Sequence, residues 1–136
     1  MRYYALAAIA LLAIPPAMAP AQTPSWQTAT ATSVTGGISS NSTFVIQAYV
    51  TLPQSCDSAR IRTLSLSSQL HRTFIVEQLA PSSPCSGKTM YSCAVESPTF
   101  RLPIQQPFHV QSKGQEWKVH LATQPPKPTL PLCKKG

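Results

Sequence analysis

The residues of this chain that could do acid–base chemistry are few and scattered. There are four acidic residues, Asp57, Glu77, Glu96 and Glu116, and none is next to another in the sequence. General acid–base catalysis usually needs paired carboxylates, or a histidine with an orienting partner. The chain also lacks a Gly-x-Ser-x-Gly nucleophile elbow, a His-Glu-x-x-His zinc motif and a glycine-rich phosphate loop. We therefore expect a protein that is not an enzyme, with no catalytic residues and no cofactor.

Two histidines, His109 and His120, fall on one face of a predicted hairpin and are diagonal neighbours in its register. Diagonal side chains on a sheet can converge. A zinc site normally needs three or four ligands, however, and only Glu116 and Lys118 lie close to this pair in the sequence. The pattern is typical of surface histidines, and we expect no metal site.

Four cysteines, Cys56, Cys85, Cys93 and Cys133, are the clearest chemical signal in the chain. In an exported protein an even number of cysteines indicates disulfide bonds. No Cys-x-x-Cys occurs, which argues against a thioredoxin-like redox site and against a four-cysteine zinc site. Four cysteines allow three pairings, and their spacing does not choose among them.

Export is indicated by the first 21 residues. Met1-Arg2 precedes an apolar run over residues 3–14, and Ala19-Pro20-Ala21 fits a small-residue cleavage site. The run is shorter than the roughly 20 residues needed to cross a bilayer. We expect a secreted or periplasmic protein with no membrane span after signal cleavage. Asn41 begins a glycosylation sequon, which matters only in a eukaryotic host.

The predicted organisation has four parts: a signal peptide over residues 1–21, a flexible Ser/Thr-rich arm over 22–42, a β-sandwich domain over 43–123 and a Pro-rich tail over 124–136. Within the arm, residues 28–34 alternate weakly and favour an edge strand that Gly36-Gly37 should end. The tail contains Pro125, Pro126, Pro128 and Pro131 and should be extended.

The formal net charge is +7, and it falls to +6 when residues 1–21 are removed, because ten basic and four acidic residues remain. No basic run with interleaved aromatics is present, so we expect no nucleic-acid partner. The charge suggests weak attraction to an envelope protein or an anionic envelope polymer. The alternative is that the charge only keeps the protein soluble. Arg60, Arg62 and Arg72 come from neighbouring predicted strands and, with Tyr49, form a candidate ligand or partner patch. The alternative is an ordinary solvated sheet face.

The stretch over residues 43–56 is the predicted centre of the fold. Its apolar residues recur at every second position, which is the pattern of a strand with one buried face: Phe44, Ile46, Ala48, Val50 and Leu52. Pro53 cannot donate a ladder hydrogen bond, so strand pairing should stop there. Further strands are predicted over residues 60–67, 72–79 and 91–96. Residues 72–79 carry apolar side chains on both parities, as a central strand should.

A hairpin is predicted over residues 108–121, with Lys113-Gly114 as its two-residue turn. This register pairs Phe108 with Val119, Val110 with Trp117 and Ser112 with Gln115. All the apolar residues then lie on one face, whereas a slip of one residue would bury charges. Together the strands and turns predict an all-β fold, a small Ig-like antiparallel β-sandwich.

From Leu52 to Val119 the layout resembles that of uncharacterised bacterial exported Ig-like β-sandwich domains. The shared features are Leu52-Pro53 followed by Cys56, then Cys93 ahead of Phe100-Arg101-Leu102-Pro103, and a final hairpin with a glycine turn. The resemblance implies the sandwich fold and brings no activity with it. In that layout the matching cysteines bridge, which implies a Cys56–Cys93 disulfide and leaves Cys85 to pair with Cys133.

These observations favour an exported, non-enzymatic binding or structural module of the cell envelope. The alternative is a protease-inhibitor-like module, in which the loop over residues 80–88, held by Cys85, enters a protease cleft. A loop made rigid in advance would lose little entropy on docking. An enzyme is the third class, and it would require a pocket lined by histidines and acidic residues.

Overall fold

The computed structural model describes residues 24–135, which form eleven β-strands and no helix. No helix in this range could therefore cross a membrane. The predicted signal peptide, residues 1–21, lies outside the described residues. The strands are β1 (Gln27–Thr28), β2 (Thr30–Ser40), β3 (Thr43–Gln54), β4 (Ser58–Leu66), β5 (Arg72–Leu79), β6 (Thr89–Glu96), β7 (Phe100–Arg101), β8 (Phe108–Ser112), β9 (Gln115–Val119), β10 (Leu121–Ala122) and β11 (Lys134–Lys135).

The strands form two sheets, which confirms the predicted two-layer all-β class. The first sheet has the order β11-β4-β5-β8-β9, with β1 also paired to β5. The second has the order β10-β2-β3-β6, with β7 also paired to β3. Most neighbours are antiparallel, as expected, but β10 with β2, β11 with β4 and β5 with β8 are parallel.

The core lies between the sheets and is centred on β3, as its alternation predicts. Five β3 side chains at even positions are at most 1% exposed: Phe44, Ile46, Ala48, Val50 and Leu52. The first sheet contributes Ile61, Phe74, Val76, Phe108 and Val110 to the same core. The rings of Phe74, Phe100 and Phe108 surround Phe44, with centroids 5.6–6.2 Å from it. This aromatic cluster fills one end of the sandwich.

The prediction that pairing stops at Pro53 is wrong by one pair. β3 pairs with β6 on both sides of the proline, through Leu52–Tyr91 and Gln54–Thr89. Met90, the residue opposite Pro53 in this register, has φ +50°, a conformation that is uncommon for a residue other than glycine. The ladder thus skips the position that lacks an N–H and resumes beyond it.

The prediction that Gly36-Gly37 ends the first strand is also wrong, because β2 continues to Ser40 as an inner strand between β10 and β3. A Cβ on Gly36 would lie 3.0 Å from the Leu121 side chain, and one on Gly37 would lie 2.5 Å from the backbone of Pro125. The two glycines therefore allow a later segment to pack against β2. Residues 30–40 of the predicted arm belong to the sheet.

The hairpin prediction is confirmed pair by pair. β8 and β9 join Phe108 to Val119, Val110 to Trp117 and Ser112 to Gln115. Gly114 in the turn has φ +76°, which glycine adopts readily. Beyond the hairpin the chain crosses to the second sheet, where Leu121 pairs with Gly36 of β2.

The predicted tail contacts both sheets, through β6 of the second sheet and β4 of the first. Leu132 bridges to Ala94 of β6, and Lys134 and Lys135 then pair with β4 of the other sheet. Between these two pairings, Cys133 is bonded to Cys93. The tail therefore ties the edges of the two sheets together.

The disulfide pairing implied by the resemblance is wrong. The structure joins Cys56 to Cys85 and Cys93 to Cys133, with Cα separations of 6.6 and 5.0 Å. Cys93 lies opposite Val50 in the middle of the β3–β6 ladder, whereas Cys56 follows the end of β3. At about 3.3 Å per residue these positions are more than ~13 Å apart, beyond the ~7 Å limit for a disulfide. Strand register therefore excludes Cys56–Cys93.

Candidate functional site

The structure does not bring the four residues of the candidate patch together. Arg60 and Arg62 lie side by side on the outer face of the first sheet, since the alternate residues Ala59 and Ile61 point into the core. Tyr49 lies on the outer face of the second sheet. Arg72 has the same parity as the buried Phe74 and points between the sheets. The patch divides into three environments.

The basic face consists of Trp26, Arg60, Arg62 and Glu77. Strand register puts Glu77 of β5 directly opposite Arg60 of β4 and diagonal to Arg62. Arg60 Nε donates to Glu77 Oε1 over 2.9 Å. Arg62 contacts both carboxylate oxygens, with Nε 2.7 Å from Oε1 and Nη2 3.0 Å from Oε2. Trp26 covers Arg60, with the guanidinium carbon 3.9 Å from the ring centroid.

Glu77 is only 5% exposed, yet it is held as the charged carboxylate. Burial raises its pKa, but the hydrogen bonds from Arg62 and Arg60 outweigh that effect, and the net pKa is lowered. The same hydrogen bond raises the pKa of Arg62. The two arginine side chains remain 40% and 43% exposed. The basic face therefore presents two oriented guanidinium groups over one buried carboxylate, with a net positive charge.

Tyr49 contacts the C-terminal tail. Its hydroxyl accepts a hydrogen bond from the Thr129 backbone N–H over 3.0 Å and lies 3.1 Å from the Thr129 hydroxyl. The pKa of Tyr49 is lowered, mainly by the hydrogen bond with the Thr129 hydroxyl and secondly by the hydrogen bond from the Thr129 backbone N–H. Gln47, next on the same face of β3, donates to the Pro126 carbonyl over 3.3 Å. Tyr49 thus holds the tail against the second sheet and does not join the arginines.

An open cavity of about 250 Å³ lies at the end of the sandwich where β4 turns into β5, and we call it the end cavity. It is lined by Ser65, Ser67, Leu70, His71, Arg72, Thr73, Gln105, Pro107, Phe108 and His109. No acidic residue is in this set. The β4–β5 hairpin and the parallel pairing of Thr73 with His109 position the lining.

Arg72 is the unusual residue of the end cavity. It is 8% exposed, and its burial lowers its pKa. Nη2 donates to the carbonyls of Arg101 and, over 3.2 Å, Pro103, while the buried Nε has no partner. Within residues 24–135 no carboxylate forms a salt bridge with this guanidinium. Burying an ionised group without a counter-charge costs several kcal/mol in general.

Three hydroxyl-bearing residues, Ser65, Ser67 and Thr73, also line the end cavity. Ser65 and Thr73 share one hydrogen bond of 2.7 Å between their side-chain oxygens. Two hydroxyls joined by one hydrogen bond use one proton, which leaves the other free to donate elsewhere. Ser67 donates to the carbonyl of His71. The end cavity thus combines a buried cation with an uncommitted hydroxyl proton.

His109 does not complete a catalytic triad in the end cavity. Its Nδ1 lies 2.6 Å from Glu116 Oε1, but the two atoms are not hydrogen-bonded. Neither ring nitrogen hydrogen-bonds to Ser65 or Thr73, so no hydroxyl is paired with a base. In the hairpin His109 lies opposite Lys118, and His120 follows the end of β9. Across residues 24–135 no three potential ligands are grouped to hold a metal ion.

The loop over residues 80–88 is exposed along most of its length and tied at one end. Cys85 is bonded to Cys56, and Ser55 and Lys88 exchange hydrogen bonds of 2.8 and 2.9 Å. The loop is therefore disulfide-held, as the inhibitor alternative requires, but its partner cysteine is Cys56.

Sequence reasoning identified Arg60 and Arg62 of the basic face, but it did not identify Glu77 or Trp26 beside them, and it missed the end cavity. A signal for the cavity existed, because Arg72 shares its parity with the apolar Phe74 and Val76. The apolar residue Ile75 on the other parity hid that signal, since both faces of β5 then looked buried. The approach of residues 101–109 to this strand end could not be foreseen.

No family model, curated protein or solved structure matches this chain.

Proposed function

We propose that this protein is an exported, non-enzymatic binding module that attaches to an anionic polymer of the cell envelope through the basic face. The observation that carries the proposal is the pair of guanidinium groups held over Glu77. Their orientation is set before any partner arrives, so little side-chain entropy is lost when they bind an anion. The two-sheet architecture supports the Ig-like assignment as part of the same proposal.

The compartment is supported by the disulfides. All four cysteines are paired, and disulfides persist mainly in oxidising surroundings outside the cytoplasm. The net charge of +6 that remains without residues 1–21 favours contact with an anionic surface. The lack of a hydroxyl–histidine–carboxylate chain at the end cavity favours binding over catalysis.

The test compares two variants that change the net charge equally. Arg60→Gln/Arg62→Gln/Glu77→Gln removes both guanidinium groups together with their carboxylate, and Lys127→Gln removes one charge from the tail. Binding of the purified proteins to teichoic acid and to lipopolysaccharide is measured over a salt series, and thermal unfolding confirms the fold.

We expect the triple variant to bind one of these polymers about tenfold more weakly at low salt, and Lys127→Gln to bind like the parent. Equal weakening in both variants would mean that net charge alone drives attachment. Absence of binding by the parent protein to both polymers would refute the proposal.

A second candidate function, protease inhibition, is favoured by the disulfide-held loop over residues 80–88. If it is correct, serine or cysteine proteases should be inhibited by micromolar protein, and reduction of the Cys56–Cys85 bond should weaken the inhibition. If no protease in the panel is inhibited, this second candidate is refuted and the binding module is the function that remains.

A further inference from the structure

We propose that the end cavity is a binding site for a small oxyanion, that is, a phosphate, sulfate or carboxylate group, with Arg72 as its principal ligand. This site is separate from the basic face and does not depend on the function proposed for it. Arg72 lies opposite Leu66 at one end of the β4–β5 ladder, whereas Glu77 and Arg60 pair five residues along β5 towards the other end.

The first argument is the unmatched charge of Arg72. A guanidinium has five N–H donors, and only Nη2 is used, by the carbonyls of Arg101 and Pro103. Carbonyl groups satisfy donors but do not neutralise the charge. The buried donor on Nε has no acceptor within the described residues. An oxyanion beside Arg72 would supply both the acceptor and the counter-charge.

The second argument is the composition of the lining. The residues that line the cavity include Ser65 and Thr73, which carry hydroxyls, and His71 and His109, which carry imidazole rings. Ser65 and Thr73 together keep one proton that their mutual hydrogen bond does not use. The lining itself contains no acidic residue, and the carboxylate of Glu116, which contacts His109, is 54% exposed. Donors therefore outnumber negatively charged groups around this cavity.

The third argument is the rigidity of the floor. Arg72 lies over the Phe44 ring, with the guanidinium carbon 5.4 Å from the centroid. Phe74 and Phe108 pack beneath, with ring centroids 5.5 Å apart. The apolar floor keeps water away from one side of the guanidinium, which strengthens its interaction with an anion. The volume of about 250 Å³ suits a small anionic group.

The test is titration of the purified protein with inorganic phosphate, sulfate and acetate in separate arms, followed by amide chemical shifts at constant ionic strength. We expect saturable changes in the amide chemical shifts around residues 65–73 and 103–109. The anion that binds most tightly identifies the oxyanion geometry that the cavity prefers. Arg72→Gln should weaken binding at least about tenfold, and Thr73→Val about threefold. Lys88→Gln, which removes a cation at the opposite end of the sandwich, should bind like the parent.

The Thr73→Val variant keeps the test decisive if Arg72→Gln does not fold, because Thr73 is half-buried and its replacement has the same shape. Shifts that sodium chloride reproduces at equal ionic strength would overturn the proposal. Unchanged affinity in Arg72→Gln would also overturn it, as would unchanged affinity in Thr73→Val if Arg72→Gln does not fold. The Arg60→Gln/Arg62→Gln/Glu77→Gln variant should retain anion binding. Failure of the basic-face proposal is therefore distinguishable from failure of this one.

Discussion

Arg62 and Arg72 lie on neighbouring strands of one sheet, yet their charges are handled in opposite ways. Arg62 points outward, remains 43% exposed and is bound bidentately by the carboxylate of Glu77. Arg72 points inward, is 8% exposed and contacts only backbone carbonyls with Nη2. Register decides the difference, because Glu77 shares an outer face with Arg62, whereas Arg72 points inward and forms no salt bridge with a carboxylate among residues 24–135. The Arg62 guanidinium is held in one orientation by Glu77. The Arg72 guanidinium keeps a donor that a ligand can use.

The largest expected effect comes from removing the apolar floor beneath Arg72. Phe44→Ala should lower the free energy of unfolding by about 3–5 kcal/mol, because a fully buried ring in contact with three others leaves a cavity. Urea denaturation measures the loss. Trp26→Ala, which affects only the basic face, should cost about 1 kcal/mol or less. A loss below about 1 kcal/mol for Phe44→Ala would mean that the aromatic cluster is not packed as described.

The next effect comes from removing the carboxylate that distinguishes the two arginines. Glu77→Gln should cost about 1–2 kcal/mol, less than a fully buried ion pair, because the arginines are about 40% exposed. Glu116→Gln is the matched control, since Glu116 is 54% exposed and should contribute about 0.5 kcal/mol or less. Equal effects of the two substitutions on urea denaturation would contradict the assigned difference in burial.

Acidification should gradually remove the stabilisation that the Glu77 carboxylate provides. Because the pKa of Glu77 is lowered in the folded state, its stabilisation is fully present above the unfolded-state value of 4.5. It is lost as the pH falls below that value and through the folded-state pKa. The stability difference between parent and Glu77→Gln should therefore shrink on acidification from pH 6 to pH 3, as urea titrations at each pH can show. A constant difference would mean that Glu77 is not the group that titrates.

The smallest expected effect separates shape from charge on the basic face. Arg62→Lys keeps the cation but loses the two-point contact with Glu77, and should cost about 0.5–1 kcal/mol. Arg101→Lys, where the side chain is exposed and only the backbone carbonyl meets Arg72, should change stability little. Thermal unfolding of the pair tests the claim. No difference between them would show that the bidentate geometry contributes nothing.

Features carried by neighbouring residues could be predicted well. The alternation of Phe44 to Leu52 predicted the buried face of β3, and the apolar pattern around Lys113-Gly114 predicted every pair of the hairpin. In both cases the period-two geometry of a strand makes one register much better than its neighbours. The bounds of β5, residues 72–79, were also predicted, from a run with apolar residues on both parities.

Features that depend on distant segments could not be predicted. Gly36 and Gly37 suggested a break, but their role is to admit Leu121 and Pro125 against β2. The grouping of Arg60 and Arg62 with Glu77 follows from the pairing of β4 with β5, whereas their grouping with Tyr49 was wrong because Tyr49 lies on the other sheet. The sequence distance between residues says little about which sheet they join.

The sequence by itself determined the all-β class, the buried parity of β3 and the register of the hairpin, because each depends on contacts between near neighbours along the chain. Only the tertiary structure decided that Cys56 pairs with Cys85, that Cys93 pairs with Cys133 and that Arg72 is enclosed without a carboxylate. These outcomes depend on which strand ends meet across the two sheets. That meeting is set by the packing of the whole core and by no local pattern.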